Sequence, residues 1–327
     1  MPRLLAVDGN SLAHRAWHAI RDSDDEVGHF VTGGFVSMLA TAWSYGPFDG
    51  VIIAFDHPQN QRKQDFPEYK ANRVDDHDLR PHLVALQDHL DACGFMVLVE
   101  AGLEGDDVLA AVADACLART WQCLVLSSDK DLTALVSDDI HLLRPCGTMS
   151  DLRLYDPAAV RHEYGVDPVQ YPDLAAMRGD PSDGLAGVNS IGPKTAARLL
   201  RDHGSLNGIY ANLSMLPPKV EAALRAGRDV AERNRLLMSP LPGMAVDVET
   251  AVRAGVDLGR IDQAMGALNL GFAAGRFRYA VERPAAPPLP PAPAVEPDEL
   301  VIDLPAVLRA RRQTATVTSV GEQAPLF

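Results

Sequence analysis

Glu104-Gly105-Asp106-Asp107 opens the stretch of sequence that decides the fold, and Leu124-Val125-Leu126-Ser127-Ser128-Asp129-Lys130-Asp131 closes it. An apolar run over residues 108–117 lies between these two segments. We predict a helix followed by a strand, with carboxylates at the start of the helix and at the end of the strand. Both of these ends point into the same crevice of a parallel sheet, so their acids are expected to meet.

Four further short apolar runs alternate with helical patterns in the first half of the chain, at residues 4–7, 51–55, 95–99 and 140–143. This alternation predicts an α/β fold, with a parallel sheet and helices on both of its faces. Ligands of such sheets bind beyond the carboxyl ends of the strands, where Asp8, Asp56 and Asp129 are expected. From about Val166 onward the pattern predicts a second, all-helical region.

The composition indicates a globular protein of two domains. The 327 residues are 47% apolar and 23% charged, and no apolar run reaches the roughly 18 residues of a membrane-spanning helix. The first residues lead directly into a strand and lack the features of a signal peptide. The four cysteines form no Cys-x-x-Cys pair, which is typical of a reduced protein without a zinc site. We therefore expect a cytoplasmic monomer with no membrane partner.

Nine acids fall at strand ends, at one helix start or in one glycine-rich turn: Asp8, Asp56, Glu104, Asp106, Asp107, Asp129, Asp131, Asp180 and Asp183. For any single one of them, helix capping or turn formation is the better explanation. Hard cations explain the whole set better, because oxygen ligands without His or Cys suit Mg²⁺ or Mn²⁺. So many carboxylates predict two or more ions that act together on a phosphate.

The net charge of −14 argues against a nucleic-acid partner, because such partners usually select basic surfaces. Cations bound to the acids would invert the local field, however. A basic segment with aromatic residues also follows Asp56, and it contains Arg62, Lys63, Phe66, Tyr69, Lys70 and Arg73. A solvated charged helix is one interpretation of this segment. We favour a cationic clamp on a scissile phosphate, with an aromatic ring stacked on a base.

Gly187-Val188-Asn189-Ser190-Ile191-Gly192-Pro193-Lys194-Thr195-Ala196-Ala197 is a glycine-rich turn that runs into a helix. Backbone N–H groups at a helix N-terminus bind phosphate without reading sequence, and Lys194 adds a positive charge. The spacing differs from that of a Walker A loop. An ordinary helix–turn–helix remains the alternative interpretation.

Together these features resemble the 5′ nuclease domain of bacterial DNA polymerase I and its stand-alone flap endonuclease relatives. The resemblance covers about residues 3–283. The matching segments are Val7-Asp8-Gly9, Phe55-Asp56, Arg62 with Tyr69-Lys70-Ala71-Asn72-Arg73, Glu104-Gly105-Asp106-Asp107, Ser128-Asp129-Lys130-Asp131, Gly179-Asp180-Pro181-Ser182-Asp183 and Ile191-Gly192-Pro193-Lys194-Thr195-Ala196. We expect the stand-alone form, because no polymerase or proofreading region follows.

The resemblance implies a parallel-sheet, PIN-like 5′ nuclease domain over residues 1–165, with a helical arch at about 57–80. It implies a smaller all-helical domain over residues 166–283, which binds duplex DNA through a helix-hairpin-helix-like motif. Residues 284–327 begin with a Pro-rich run and are expected to form a flexible linker and tail. The implied enzyme is a Mg²⁺- or Mn²⁺-dependent 5′-3′ exodeoxyribonuclease and flap endonuclease. Its implied substrates are DNA flaps, nicks and 5′ ends, and RNA primers on DNA, in replication and repair.

The resemblance also implies roles for single residues. The implied first metal group is Asp8, Asp56, Glu104 and Asp106, and the second is Asp129, Asp131 and Asp183, with Asp106 near both. Outer or additional metal ligands are implied at Asp107 and Asp180. Contacts to the scissile phosphate are implied for Lys70 and Arg73, and other DNA contacts for Arg62, Lys63, Tyr69, Ser190, Gly192, Lys194 and Thr195. A K⁺ ion held by backbone carbonyls is implied at the hairpin, where Ser190 replaces the family's usual glycine.

The last five residues, Gln323-Ala324-Pro325-Leu326-Phe327, resemble the Gln-x-x-Leu-Phe peptide by which bacterial replication proteins dock on the sliding clamp. A plain apolar terminus is the alternative. The position of the peptide at the end of a Pro-rich tether favours clamp binding through Gln323, Leu326 and Phe327.

Two other functions remain open from the sequence. The first is a ribonuclease of the related acid-cluster fold, such as a toxin, although such proteins are usually shorter and lack the arch and the hairpin. The second is a non-catalytic binder of branched DNA. That function would be favoured if Asp129→Ala and Asp183→Ala left the biological role unchanged.

Overall fold

The computed structural model describes residues 1–20, 29–72, 78–146, 151–241 and 243–283. Arg73 and the three tail residues Gln323, Leu326 and Phe327 lie outside this described part, as does the whole linker and tail at 284–327. Their predicted roles therefore stay predictions.

A six-stranded sheet lies at the centre of the N-terminal half. Its strands are β1 (Arg3–Asp8), β2 (Gly50–Phe55), β3 (Met96–Val99), β4 (Gln122–Leu126), β5 (Ile140–Pro145) and β6 (Leu152–Tyr155), in the order β3-β2-β1-β4-β5-β6. The pairs among β1 to β5 are parallel, as expected, but β6 runs antiparallel to β5. The sequence analysis missed β6. The six residues between Pro145 and Leu152 are too few for the crossover that a parallel strand requires.

Helices cover both faces of this sheet because β1 is apolar from Leu4 to Val7 and β2 carries no polar side chain. Leu5 and Val7 point into a core shared with α1 (Gly9–Ile20), α2 (His29–Trp43) and α4 (Arg80–Ala92). Leu4 and Ala6 point into the opposite core, which is shared with α5 (Gly105–Leu117). The short helix α3 (Gln61–Asp65) precedes α4 in the connection between β2 and β3, and α6 (Pro157–Tyr164) follows β6.

A helical region follows, with its own core around Tyr171, Leu200 and Leu237. It contains α7 (Tyr171–Arg178), a two-stranded ribbon of β7 (Gly179–Asp180) and β8 (Leu185–Ala186), α8 (Pro193–His203), α9 (Leu206–Ala211), α10 (Pro218–Ala226) and α11 (Arg228–Met238). Short 3₁₀ helices lie at Asp131–Leu135, Pro168–Gln170, Pro181–Asp183 and Leu213–Met215.

The last helices return to the sheet. They are α12 (Val248–Ala254), α13 (Leu258–Ala267) and α14 (Gly271–Glu282). Val248 joins the core under α5, whereas Met265 and Phe277 join the core under α2. These last helices thus add to the cores of the sheet, and the helical domain expected over residues 166–283 stays a prediction. Across the described ranges, no helix is both long enough and apolar enough to span a membrane.

The strand order creates a crevice at the carboxyl end of β1. The chain leaves β1 through α1 on one face, whereas β4, the neighbour of β1 on the other side, is reached through α5 on the opposite face. The connections therefore diverge between β1 and β4, and a ligand site is expected where they part.

Candidate active site

A crevice of about 1830 Å³ opens at the carboxyl ends of β1, β2 and β4. Eight of the nine acids singled out from the sequence line it: Asp8, Asp56, Glu104, Asp106, Asp129, Asp131, Asp180 and Asp183. Lys63 and Lys70 lie along the same crevice. The fold thus brings together carboxylates that are far apart in the chain, because β1, β2, β4 and β7 end there and α5 begins there.

Asp8, the last residue of β1, is fixed by groups on both sides. The backbone N–H of Ser11 donates to its Oδ1 (2.8 Å), and the hydroxyl of Ser127, directly after β4, donates to its Oδ2 (2.5 Å). Burial raises the pKa of Asp8 to about 7, and repulsion from Asp56 and Asp129 adds to the rise. This carboxylate is therefore oriented into the crevice and repelled by its neighbours.

The next two acids are Asp56, directly after β2, and Asp106, in the first turn of α5. The backbone N–H of Gly105 donates to Asp56 Oδ1 (2.7 Å), which ties the end of β2 to the start of this helix. Burial also raises the pKa of Asp106 well above its usual range, and repulsion from Asp129 and Asp8 adds to the effect. Asp8, Asp56, Asp106 and Asp129 therefore form one electrostatically linked group.

Asp131 belongs to a second group of acids. Its Oδ1 is buried and has no hydrogen-bond partner within the described residues. Burial raises its pKa to about 8, and repulsion from Asp129, Asp183 and Asp180 contributes. Asp129 is thus a member of both groups, and its Oδ1 accepts a hydrogen bond from the backbone N–H of Asp131 (2.8 Å).

These two groups fit hard divalent cations. Every donor is an oxygen, the carboxylates repel one another, and one buried oxygen of Asp131 has no partner in the described part of the chain. No three His, Cys, Asp or Glu side chains of the described residues are already grouped around one ion position. Cations would offset the repulsion and allow the carboxylates to approach one another.

Asp107 does not face the crevice, which changes its expected role. Its two oxygens accept hydrogen bonds from the two terminal nitrogens of Arg62 (2.7 Å each), and its Oδ1 also accepts from the Leu241 N–H (2.7 Å). Arg62 is only 6% exposed and donates further to the Ser239 carbonyl (2.8 Å). We therefore leave Asp107 out of the candidate metal ligands and Arg62 out of the candidate DNA contacts, because both are committed to a buried ion pair.

Tyr69 and Lys70 are also turned inward. The Tyr69 ring is 4% exposed and packs in the core of the helical region, and its hydroxyl donates to Glu104 Oε2 (3.2 Å). In this arrangement the ring is inaccessible to a DNA base, contrary to the role that the resemblance implied. Lys70 Nζ lies 2.6 Å from Glu104 Oε1. Lys63, in contrast, is exposed beside the crevice.

The predicted DNA-binding hairpin is separate from the acids and exposed. Gly192 is the N-cap of α8, and Ser190, Gly192 and Lys194 are all exposed, with Thr195 partly so. The next residue in the turn, Ile191, is buried and anchors the hairpin to the helical core. A helix start of this kind can bind a phosphate through its backbone N–H groups.

We expect Ser190→Gly to raise the free energy of unfolding by about 1 kcal/mol. Ser190 has φ 65°, a left-handed conformation that costs a residue with a Cβ but not glycine. Chemical denaturation measures the change. The adjacent exposed Asn189 is the control: Asn189→Gly should lower stability, because its φ is not positive and glycine adds freedom to the unfolded chain. Equal effects of the two changes would contradict the expectation.

Several polar residues that hold the acids were missed by the sequence analysis. Ser127 and Ser11 bind Asp8, the Asn10 side-chain oxygen accepts from the Asp56 N–H (2.9 Å), and Asn60 donates to Glu104 (2.7 Å). Three of them follow directly after a strand or open the helix after it. Small polar residues at those positions were therefore the available signal.

Comparison with known proteins gives matches along most of the chain. A family model described as the 5′-3′ exonuclease N-terminal resolvase-like domain matches residues 3–165, and one described as the 5′-3′ exonuclease C-terminal SAM fold matches residues 166–254. DNA polymerase I of Mycobacterium bovis is 39% identical over 242 residues, which are 72% of this chain and 27% of the polymerase. The thermostable DNA polymerase I of Thermus aquaticus is 34% identical over 273 residues, 82% of this chain and 32% of the polymerase. The chain thus spans about a third or less of these relatives.

Solved structures share the fold. A T5 5′-exonuclease with divalent zinc ions bound has a TM-score of 0.59 and 23% identity, covering 86% of this chain and 100% of that one. The catalytic core of Rad2 in complex with a DNA substrate has a TM-score of 0.52 and 14% identity, with 86% and 92% covered. At these identities the likeness establishes the architecture alone.

Proposed function

Because the chain belongs to the 5′-3′ exonuclease family and is a nuclease, we propose that it is a structure-specific 5′-3′ exonuclease and 5′-flap endonuclease of DNA. Two Mg²⁺ or Mn²⁺ ions are its proposed cofactors. The observation that supports this proposal most is the pair of carboxylate groups that share Asp129 at the topological switch of the sheet.

The carboxylates would bind cations at two positions. Asp8, Asp56, Glu104 and Asp106 would hold the first, Asp131, Asp180 and Asp183 the second, and Asp129 lies between them. When bound, such ions lower the pKa of a water and stabilise the negative charge on the reacting phosphate and the leaving oxygen. Ser11 and Ser127 orient Asp8 for this task, and the Gly105 N–H orients Asp56.

The DNA is held from two sides. Lys63, Lys70 and Arg73 contact the strand at the crevice, with Lys70 and Arg73 on the scissile phosphate. The backbone N–H groups around Gly192, together with Ser190, Lys194 and Thr195, hold phosphates of the adjoining duplex. The backbone carbonyls of this hairpin would hold the K⁺ ion that the resemblance implies. The acidic total charge is compatible with this arrangement because the bound cations offset the acids locally.

A labelled 5′-flap duplex tests the proposal. With Mg²⁺ or Mn²⁺ we expect cleavage near the junction, and with EDTA none. A nicked duplex and a flap carrying an RNA 5′ end test the proposed roles in primer removal and repair. Tight binding of the flap without metal-dependent cleavage would reject the nuclease proposal and favour a binding protein.

We also propose that the C-terminal peptide binds a sliding clamp. Deletion of residues 323–327 should abolish clamp binding, measured by surface plasmon resonance, because Gln323, Leu326 and Phe327 would supply the contacts. Cleavage of short flaps without a clamp should be unaffected. Unchanged affinity for the clamp after the deletion would refute this role.

A further inference from the structure

We propose that Glu104 is a positioning residue that holds Lys70 inside the protein until a divalent cation takes the same carboxylate. This inference rests on the proposed function and concerns the state of the site before DNA binds. It gives Glu104 a second role besides that of a metal ligand.

Glu104 is the carboxylate to which residues 60–70, within the predicted arch, are bound. Its Oε1 accepts from the side chains of Asn60 (2.7 Å) and Lys70 (2.6 Å), and its Oε2 accepts from Arg62 (3.1 Å) and Tyr69 (3.2 Å). All four donors come from one stretch of eleven residues, 60–70, and the carboxylate is 4% exposed. A single acid therefore binds four of the nine polar side chains of this segment.

Lys70 is held in a conformation that needs such a partner. Its φ is 56°, in the left-handed region that residues with a Cβ avoid, and its side chain is nearly buried. Its backbone N–H donates to the Asp183 carbonyl (3.0 Å), and its ammonium lies 4.7 Å from the centre of the Tyr69 ring. The ion pair with Glu104 offsets the cost of this conformation and of removing the ammonium from water.

The ion pairs around Glu104 bring two cations and two acids together. Arg62 and Lys70 carry two positive charges, and Glu104 and Asp107 carry two negative charges. Arg62 has a second acid in Asp107, with which it makes two hydrogen bonds. Lys70 Nζ lies 2.6 Å from Glu104 Oε1, and its charge also acts on Asp106. A cation that draws Glu104 away would therefore weaken this ion pair and repel the ammonium.

The displaced ammonium has a direction in which to move. Lys70 already lines the crevice that contains Asp8 and Asp129. A DNA phosphate placed there would form an ion pair with the Lys70 ammonium that Glu104 releases. Cation binding and the exposure of Lys70 are thereby coupled, because one carboxylate cannot serve both partners fully, and such coupling is reciprocal.

Lysine acetylation read by mass spectrometry tests the proposal without DNA. The chain has five lysines, and Lys63 is exposed in the same segment, which makes it an internal control. We expect Mg²⁺ to raise labelling of Lys70 roughly fivefold or more and to change that of Lys63 little. Glu104→Gln should give high labelling of Lys70 even without Mg²⁺. Unchanged or reduced labelling of Lys70 in the wild-type protein with Mg²⁺ would overturn the proposal.

A second measurement uses the reciprocal effect and keeps the test valid if Glu104→Gln does not fold. Lys70→Met should tighten binding of Mn²⁺ roughly fivefold by calorimetry, and the matched change Lys63→Met should have a smaller effect. Equal effects would indicate general electrostatics and reject the proposed competition.

Flap cleavage by the wild-type protein is measured in parallel. Normal cleavage with unchanged labelling rejects only the role of Glu104, whereas absence of cleavage rejects the proposed function.

Discussion

Asp106→Asn is expected to reduce flap cleavage by roughly three orders of magnitude and, at the same time, to stabilise the metal-free protein. Asp106 lies in the first turn of α5, and burial together with repulsion from Asp129 and Asp8 raises its pKa well above the usual range. The charged form of Asp106 therefore destabilises the metal-free fold. Such a charge is expected where a carboxylate binds a cation. Asparagine removes the charge and keeps the shape.

The two effects have opposite signs, which makes the measurement informative. We expect the free energy of unfolding without metal to rise by on the order of 1 kcal/mol, whereas single-turnover cleavage at saturating enzyme falls. Asp114→Asn on the same helix is the matched control, because Asp114 is exposed and is not among the residues lining the crevice. It should leave both quantities unchanged. If Asp106→Asn destabilised the protein and cleavage persisted, Asp106 would be a structural residue.

The meeting of the acids could be predicted from the sequence because it depends on topology. A parallel sheet brings all strand ends of one kind to one edge, so the positions of Asp8, Asp56 and Asp129 after apolar runs were sufficient. The glycine-rich hairpin was predictable for a similar reason, since its turn residues are local signals. Neither inference required knowledge of which neighbour each side chain contacts.

The orientation of the basic segment could not be predicted in this way. Arg62, Tyr69 and Lys70 are charged or aromatic residues in a polar stretch, which favours an exposed surface. In the structure they point inward because Glu104 and Asp107, about forty residues later in the chain, supply buried partners. Such long-range pairing leaves no periodic pattern in the sequence. The same applies to helices α12 to α14, whose return to the sheet depends on apolar surface that other elements leave uncovered.

At pH 8, saturating Mg²⁺ is expected to raise the free energy of unfolding by about 3 kcal/mol, the value for one site at a hundred times its dissociation constant. At pH 5 the gain should nearly vanish, because protons then occupy the same carboxylates. Burial and mutual repulsion raise the pKa of Asp8 to about 7 and that of Asp131 to about 8. Thermal and chemical denaturation at both pH values measure the difference.

Asp8 and Asp131 also determine the direction in which the stability of the metal-free protein changes with pH. An acid whose pKa is raised on folding binds more protons in the folded state, so stability falls as the pH rises through the folded pKa. Between pH 7 and pH 8 these two acids should cost about 1 kcal/mol. The lowered pKa values of His89 and His141 make stability rise with pH, but only near and below the ordinary histidine pKa. The range from pH 7 to pH 8 therefore reports mainly on the two acids.

Two variants separate the cation site from general effects of charge. Asp131→Asn should lose much of the gain from Mg²⁺ and much of the metal-free decline between pH 7 and pH 8. It removes a crevice acid whose buried Oδ1 has no hydrogen-bond partner among the described residues. Asp138→Asn, an equal change of charge at an exposed position seven residues further along, should keep both. A wild-type protein whose metal-free stability rises from pH 7 to pH 8 would show that the carboxylates do not repel one another. The electrostatic basis for a cation site in this crevice would then be lost.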